Sequence, residues 1–145
     1  MNGQLLLDNI LLLSRSQEQY CKRLQTEYNL RSSDLDVLMF LALYPEYRTA
    51  RDICDNRLIT KSLVSASVEL LVNRGYIARE TDPADRRRTL LTLLPAADEI
   101  TEKLKRLNAS FLESICTGVS VDDMQAFERV LTQISHNMNG MTAES

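Results

Sequence analysis

The sequence has few of the residues that interrupt helices, with only four Gly and three Pro among its 145 residues. Trp is absent and aromatic residues make up 6% of the chain, whereas Leu, Glu, Arg and Lys are frequent. Because these frequent residues favour helices, the composition predicts a mainly helical protein. The length fits one domain, or one domain with extensions.

Long apolar runs are also missing. The longest is VLMFLALY, from Val37 to Tyr44, and eight residues are too few to cross a bilayer. Cysteine is sparse, and Cys21, Cys54 and Cys116 are far apart and form no C-x-x-C motif. We therefore expect a cytoplasmic protein whose thiols are reduced.

The side chains that usually carry catalysis or hold metals are scarce. His136 is the only histidine, and no cysteines or carboxylates cluster with it at metal-ligand spacing. The sequence has neither a phosphate-binding glycine loop nor a recognisable nucleophile–base pair. We expect no enzyme and no cofactor, and we expect His136 at a surface or an interface.

The charge is unevenly distributed. The net charge of −3 argues against a generally basic coat for nucleic acid. From Arg48 to Arg88, however, the sequence has nine Lys and Arg but only six Asp and Glu. The rest of the chain has eight Lys and Arg and fourteen Asp and Glu. The middle of the chain is therefore locally basic, which permits binding to a polyanion.

The spacing of apolar residues predicts the order of the elements. Helices are expected at about 4–28, 34–43, 50–57 and 60–74. Alternation in YIARET and TLLTL, on either side of DPADRR, predicts a β-hairpin, and two more helices follow with a break at Gly118. Three hydroxyl–carboxylate pairs are predicted to cap helices: Ser33 with Asp36, Thr49 with Asp52, and Ser120 with Asp123.

The third and fourth helices are predicted to form a helix-turn-helix, in which the second helix enters a major groove. The polar face of that helix has only small or positive side chains before Glu69: Thr60, Lys61, Ser62, Ser65, Ala66 and Ser67. Such side chains allow close approach to bases and phosphates. A solvated helix face explains them equally well, and the same shape occurs in modules that bind only protein.

The hairpin carries Arg86, Arg87 and Arg88 at its tip, in the stretch TDPADRRRTLLTL. Core packing does not explain three arginines there, whereas a guanidinium suits the negative potential of a narrow minor groove. Asp85 is predicted to hold one guanidinium in a fixed orientation. The alternative for Asp85 is a plain ion pair at the surface.

The winged-helix region of MarR-family transcription regulators resembles two segments of this chain, ITKSLVSASVELLVNRG and NRGYIARETDPADRRRTLLTLLPAA. The first is similar to the recognition helix of the family, and the second to its wing. The wing positions that match are Gly75, Tyr76-Ile77, Arg79, Asp85-x-Arg87 and Leu93. The chain departs at Ala66, where many members have Arg or Lys, and at Leu94 and Ala97, where Thr and Gly are usual.

The resemblance implies a mainly α fold with a small β-hairpin wing. It implies a winged helix-turn-helix module at 33–94, flanked by dimerisation helices at 1–32 and 95–145. The protein would be a homodimeric repressor on a pseudo-palindromic DNA operator, released by a small phenolic or aromatic effector. The DNA-binding residues would be Thr60, Lys61, Ser62, Ser65 and Ala66 on the helix and Asp85, Arg86, Arg87 and Arg88 on the wing.

Two alternatives stay open. Some members sense oxidants with a cysteine in the first helix, and Cys21 lies there. Lys22 and Arg23 would lower the pKa of its thiol if they pointed towards it; a small buried hydrophobe is the plainer explanation. The second alternative is that the chain is a protein-interaction module or an anti-regulator that does not bind DNA.

Overall fold

The structure is a computed structural model that describes residues 3–57 and 59–143. Within them, six α-helices and one two-stranded antiparallel sheet follow the predicted order, so the predicted fold class is confirmed. The elements are α1 (Gly3–Tyr28), α2 (Ser32–Leu43), α3 (Ala50–Arg57), α4 (Lys61–Asn73), β1 (Ile77–Thr81), β2 (Thr89–Leu93), α5 (Asp98–Ile115) and α6 (Val121–Ala143), with a short 3-10 helix (Pro95–Ala97) before α5.

The chain forms two compact units, of which the first ends at Phe111 and the second begins at Leu112. The predicted division at 1–32, 33–94 and 95–145 assigns roles in DNA binding and dimerisation, and it stays a prediction. None of the described helices is both long enough and apolar enough to cross a membrane.

Helix α2 is the centre of the first unit. Its side chains point into the core on several sides, because Val37, Leu38 and Phe40 are each almost fully buried. They are joined in the core by apolar side chains from α3, α4, the hairpin and α5, namely Ile53, Val64, Val68, Leu71, Ile77, Leu91 and Ile100. Burying one such side chain stabilises a fold by roughly 1.5–3 kcal/mol. This core fixes the positions of α4 and the hairpin.

The hairpin is short and anchored at its base. Its register pairs Ile77 with Leu93 at one end and Thr81 with Thr89 at the other. The N–H of Leu91 donates to the carbonyl of Arg48 at 2.7 Å, so the chain just before α3 lies along β2. The hairpin is therefore attached through β2 to the segment that precedes the helix-turn-helix.

Two of the three predicted caps are present. Thr49 Oγ1 accepts the N–H of Asp52 at 3.1 Å, and the Asp52 carboxylate accepts the N–H of Thr49 at 2.9 Å. At α6, Ser120 Oγ accepts the N–H of Asp123 at 3.1 Å and donates to its carboxylate at 2.6 Å. Both hydroxyls satisfy N–H groups that lack partners within their helices.

The predicted cap of α2 was wrong. The helix begins before Ser33, and Asp34, not Asp36, accepts the N–H of the N-cap residue Arg31 at 2.8 Å. The Arg31 guanidinium also donates to the Asp34 carboxylate at 2.8 Å. A charge-assisted contact of this kind is stronger than a neutral hydroxyl cap, which explains the earlier start.

Candidate nucleic-acid interface

Helix α4 follows α3 after a short connection, and its first residue is fixed by a cap. Thr60 Oγ1 accepts the N–H of Leu63 at 3.4 Å and lies 3.2 Å from Ser62 Oγ. At the other end, Gly75 has a φ of +73°, in the left-handed region that glycine adopts most readily, and it ends the helix as predicted.

The exposed face of α4 is the one predicted, apart from one residue. Lys61, Ser62, Ser65 and Ala66 are exposed. Ser67 is fully buried, and its hydroxyl donates to Ser33 Oγ at 3.0 Å, so its placement on the polar face was wrong. Ser67 lies three residues after Val64, on the side of the helix that faces the core.

One ion pair joins α4 to the hairpin. The Arg79 guanidinium of β1 lies 2.7 Å from the carboxylate of Glu69, the only acidic residue of α4. Arg79 holds the pKa of the Glu69 carboxyl below its usual value, through a hydrogen bond and its charge. Both side chains are solvent-exposed, so the pair adds little stability. Its consequence is to neutralise the one negative charge on this helix.

The wing turn is organised by Asp82, which sequence reasoning missed. Asp82 is only 8% exposed, and its carboxylate accepts the N–H of Ala84 at 2.9 Å. The carboxylate also lies 3.5 Å from the Arg88 guanidinium, while the Asp82 N–H donates to the Arg88 carbonyl at 3.0 Å. An Asp directly before a Pro, as in Asp82–Pro83, is typical of such turns and was the available signal.

Asp85 acts on the backbone of the tip. Its carboxylate accepts the N–H of Arg87 at 3.0 Å, and its carbonyl accepts the N–H of Arg88 at 2.9 Å. The sequence predicted a contact with a guanidinium, whereas the contact found is with a main-chain amide. Arg86, Arg87 and Arg88 are all exposed. Asp85 therefore shapes the turn that presents them.

Arg48 is a second residue that sequence reasoning missed. Its guanidinium contacts the Glu80 carboxylate at 3.2 Å, the Leu91 carbonyl at 3.4 Å and the Thr92 hydroxyl. These contacts reach both strands, so Arg48 holds the hairpin against the segment that precedes α3. No period or motif in the sequence marks this residue, because its partners lie more than thirty positions away.

The first unit also has a cleft of about 520 Å³, lined by α1, α2, α5 and the end of α3. The Arg57 guanidinium lies in it, 5.7 Å from the centre of the Phe40 ring and 5.9 Å from that of Tyr44. Among the residues that the structure describes, none makes a hydrogen bond with the buried Nε of Arg57. No pattern or motif in the sequence predicted this cleft.

Two acidic side chains and one thiol line the same cleft. Burial raises the pKa of the Asp36 carboxyl, Glu18 raises it further, and Arg57 opposes both. The pKa of the Cys21 thiol is raised, first by burial and then by Asp36. The prediction that neighbouring cations lower the pKa of Cys21 was therefore wrong, because the nearby charge that acts on the thiol is a carboxylate.

The described residues include no cluster of metal-ligating side chains, and His136 is exposed on α6. The two outer helices expose large apolar side chains. On α1 these are Leu5, Leu7, Ile10, Leu11, Leu12 and Leu13, and on α6 they include Val121, Phe127, Val130 and Leu131.

A capped helix-turn-helix followed by an arginine-tipped hairpin defines a winged-helix protein. Residues 28–88 match the family model described as MarR family, and the fold beyond the matched part is that of MarR regulators as well. The match covers the helix-turn-helix and the wing, and in this part the chain is similar to the MarR family. No curated protein sequence matches the chain.

Solved structures share this fold at low sequence identity. A MarR transcriptional regulator from Methanosarcina mazei Go1 is 20% identical, with a TM-score of 0.80 over 95% of this chain and 99% of that one. A MarR family regulator from Listeria monocytogenes, complexed with 26mer DNA, is 15% identical, with a TM-score of 0.81 over 91% and 87%. BpsR of Bordetella bronchiseptica, whose DNA binding is regulated by 6-hydroxynicotinic acid, is 21% identical, with a TM-score of 0.70 over 90% and 98%.

Proposed function

We propose that this chain is a sequence-specific DNA-binding transcription regulator that represses as a homodimer on a pseudo-palindromic operator. The observation that carries the proposal is a capped helix with an exposed positive and small-residue face, joined by Glu69 and Arg79 to a wing with exposed arginines. A helix of this kind suits a major groove and a projecting guanidinium suits a minor groove. The DNA complex of the Listeria regulator supports the proposal.

On α4, each exposed residue has a role that its chemistry suits. Thr60 sets the start of the helix through its cap, and Lys61 binds a phosphate or a guanine edge. Ser62 and Ser65 form hydrogen bonds with phosphates or bases, and Ala66 permits close approach. The N–H groups of the first turn add further affinity for a phosphate.

On the wing, the arginines divide by their contacts. Arg87 enters the minor groove, because Asp85 fixes its backbone at the tip. Arg86 binds phosphate. Arg88 is the least important for DNA, because its guanidinium lies near the Asp82 carboxylate and its backbone closes the turn.

The homodimer is formed by the outer helices. The exposed apolar side chains of α1 and α6 (Leu11 is 66% exposed and Phe127 54% exposed) would be costly to leave in water. An isologous contact between two copies buries them and gives the assembly a two-fold axis. Two copies of α4 would then read half-sites about 34 Å apart, one turn of DNA.

The effector is a small phenolic or aromatic compound that binds in the cleft of the first unit. The cleft has the size of a small-molecule site and combines apolar walls with a few polar groups. The regulation of BpsR by an aromatic acid supports an aromatic ligand here. Binding of the effector releases DNA and relieves repression.

A redox role for Cys21 stays a prediction. The raised pKa of its thiol keeps it protonated at neutral pH, which disfavours rapid oxidation. If Cys21 senses peroxide, we expect peroxide to release DNA from the natural protein and to leave the complex of the Cys21→Ser variant with DNA intact.

The experiment that tests the proposed function is selection of bound duplexes from a random DNA pool, followed by binding measurements at several salt concentrations. We expect a palindromic consensus and an affinity that falls steeply with salt, because phosphate contacts release counterions. Recovery of no consensus, with no salt-dependent binding, would instead favour a winged-helix module that binds protein.

A further inference from the structure

The cleft already contains a cation that belongs to the protein. The guanidinium of Arg57 lies over two aromatic rings, with distances of 5.7 Å to Phe40 and 5.9 Å to Tyr44. Cations are attracted to such ring faces. Its Nε is nevertheless buried without a hydrogen-bond partner in the described part of the chain, which is unfavourable for a polar group. Arg57 is thus held by the rings but incompletely satisfied.

The remaining charge of the cleft is negative. Among the residues that line it, Glu18 of α1 and Asp36 of α2 are acidic, Arg57 is the only Lys or Arg, and α5 contributes the neutral Leu104 and Asn108. The raised pKa values of the Asp36 carboxyl and the Cys21 thiol have the same cause, which is burial together with a neighbouring carboxylate. A second cation would therefore be attracted to the cleft, and an anion repelled by two of its three charged groups.

We propose that the cleft selects an aromatic ligand with a positively charged amine, which displaces the Arg57 guanidinium from the Tyr44 ring and pairs with the carboxylates that line the cleft, those of Glu18 and Asp36. The ammonium group is bound by the carboxylates, and the aromatic part packs on Tyr44 and the thioether of Met39, both of which line the cleft. The internal guanidinium is a tethered competitor for this position.

Displacement of Arg57 acts close to the proposed DNA interface. Arg57 is the last residue of α3, and Thr60 caps α4 three positions later. A change in the position of the Arg57 side chain therefore bears on the connection that orients α4. Only the effect of the ligand on DNA binding rests on the proposed function, since the ligand would weaken DNA binding by moving α4.

The test compares three probes of one shape: 2-naphthylmethylammonium, 2-naphthylmethanol and 2-naphthoate. Their binding to the DNA-free, full-length protein is measured by calorimetry at neutral pH. We expect the ammonium probe to bind at least about tenfold more tightly than the carboxylate probe, with the alcohol between them. Tightest binding of 2-naphthoate, or no binding of the ammonium probe at millimolar concentration, overturns the inference.

Variants identify the groups responsible. Glu18→Gln is expected to lower the affinity for the ammonium probe several-fold and leave that for the alcohol unchanged, whereas Glu46→Gln, at an exposed position outside the cleft, changes neither. Arg57→Gln is expected to raise the affinity for the ammonium probe several-fold, because the competitor is gone. Arg57→Lys keeps a competing charge and stays near the natural affinity, and Arg51→Gln, an exposed residue of α3, is the matched control.

The opposite result for Arg57 has a clear meaning. If Arg57→Gln lowers the affinity for 2-naphthoate and leaves the affinity for the ammonium probe unchanged, Arg57 binds anionic ligands and the inference is wrong. Since these measurements contain no DNA, they are independent of the selection experiment. Cation-selective binding together with a failed DNA selection would leave the cleft assignment standing and reject the proposed regulator.

Discussion

The carboxylate of Asp85 accepts a hydrogen bond from the backbone N–H of Arg87 at 3.0 Å. The contact spans two positions and fixes the main chain at the tip of the wing, where Arg86 and Arg87 are exposed. The Asp85 carboxylate at the tip of the wing therefore has a structural role that does not require contact with a guanidinium. Its geometry is that of a side chain that closes a turn on its own backbone.

The first prediction separates the backbone role of Asp85 from a role of its charge. Asp85→Asn keeps an oxygen acceptor for the Arg87 N–H and removes a negative charge, so DNA affinity should equal or slightly exceed that of the natural protein. Asp85→Ala removes the acceptor and should weaken binding by about five- to tenfold, the equivalent of one hydrogen bond. Gel-shift titration measures both. Equal losses in the two variants would mean that the charge holds a guanidinium.

The second prediction concerns the arginine at the tip. Arg87→Ala should weaken binding to the selected operator by about 1–3 kcal/mol and reduce the salt slope by about one. Arg23→Ala, which removes an exposed arginine from α1, is the matched control and should leave both quantities unchanged. Unchanged affinity and salt slope in Arg87→Ala would remove Arg87 from the interface.

The third prediction ranks Arg88 below Arg87. Because the Arg88 guanidinium lies 3.5 Å from the Asp82 carboxylate, Arg88→Ala should leave the salt slope close to that of the natural protein. The pair is largely exposed on the Arg88 side, so the expected loss of folding stability is also small. Fluorescence anisotropy at several salt concentrations measures the slope. A reduction as large as that of Arg87→Ala would show that Arg88 binds phosphate directly.

The fourth prediction tests the proposed dimer. Phe127 and Val130 are both 54% exposed on α6, and replacing either with Asp would place a charge in the proposed interface between copies. Such a buried, unpaired charge is strongly unfavourable. Sedimentation velocity should show a shift from dimer to monomer for Phe127→Asp. Gln125→Asp, at an exposed polar position of the same helix, should leave the dimer intact; a dimer that persists in Phe127→Asp argues against α6 as the interface.

The fifth prediction concerns acid stability. Burial raises the pKa of the Asp34 carboxyl, but hydrogen bonds from the Arg31 guanidinium and backbone, together with the Arg31 charge, outweigh it and lower the pKa. Since the pKa of Asp34 is lower in the folded than in the unfolded state, the unfolded state binds more protons at pH values between these two pKa values. The contribution of Asp34 is fully present above the unfolded pKa, near 3.9, and is lost as the pH falls through the folded pKa.

Asp34→Ala should therefore lower the free energy of unfolding at neutral pH by roughly 1–3 kcal/mol, because the donors of Arg31 lose their acceptor. The difference from the natural protein should shrink below about pH 4. Urea unfolding at several pH values measures it, with Asp98→Ala, at an exposed position, as the control. A difference that is independent of pH would contradict the role of the Asp34 charge.

Several features of the fold could be predicted because their causes are local. The change from helical spacing to alternation placed the hairpin, Gly75 and Gly118 marked the ends of helices, and the Thr49 and Ser120 caps depend on residues three positions apart. The exposed residues of α4 followed from its apolar stripe. The same reasoning failed at Ser33, because a charged pair between Arg31 and Asp34 outcompeted the hydroxyl.

The sequence by itself determined the mainly helical winged fold, the polar face of α4 and the arginine-rich wing, since each depends on periodicity or on neighbours along the chain. Only the tertiary structure decided which side chains meet across the chain. It placed the Arg48 guanidinium against both strands, Arg79 against Glu69, and Arg57 in a cleft that two carboxylates also line. Such contacts join positions far apart in sequence, and they form because the core around α2 fixes the distances between elements that no local pattern contains.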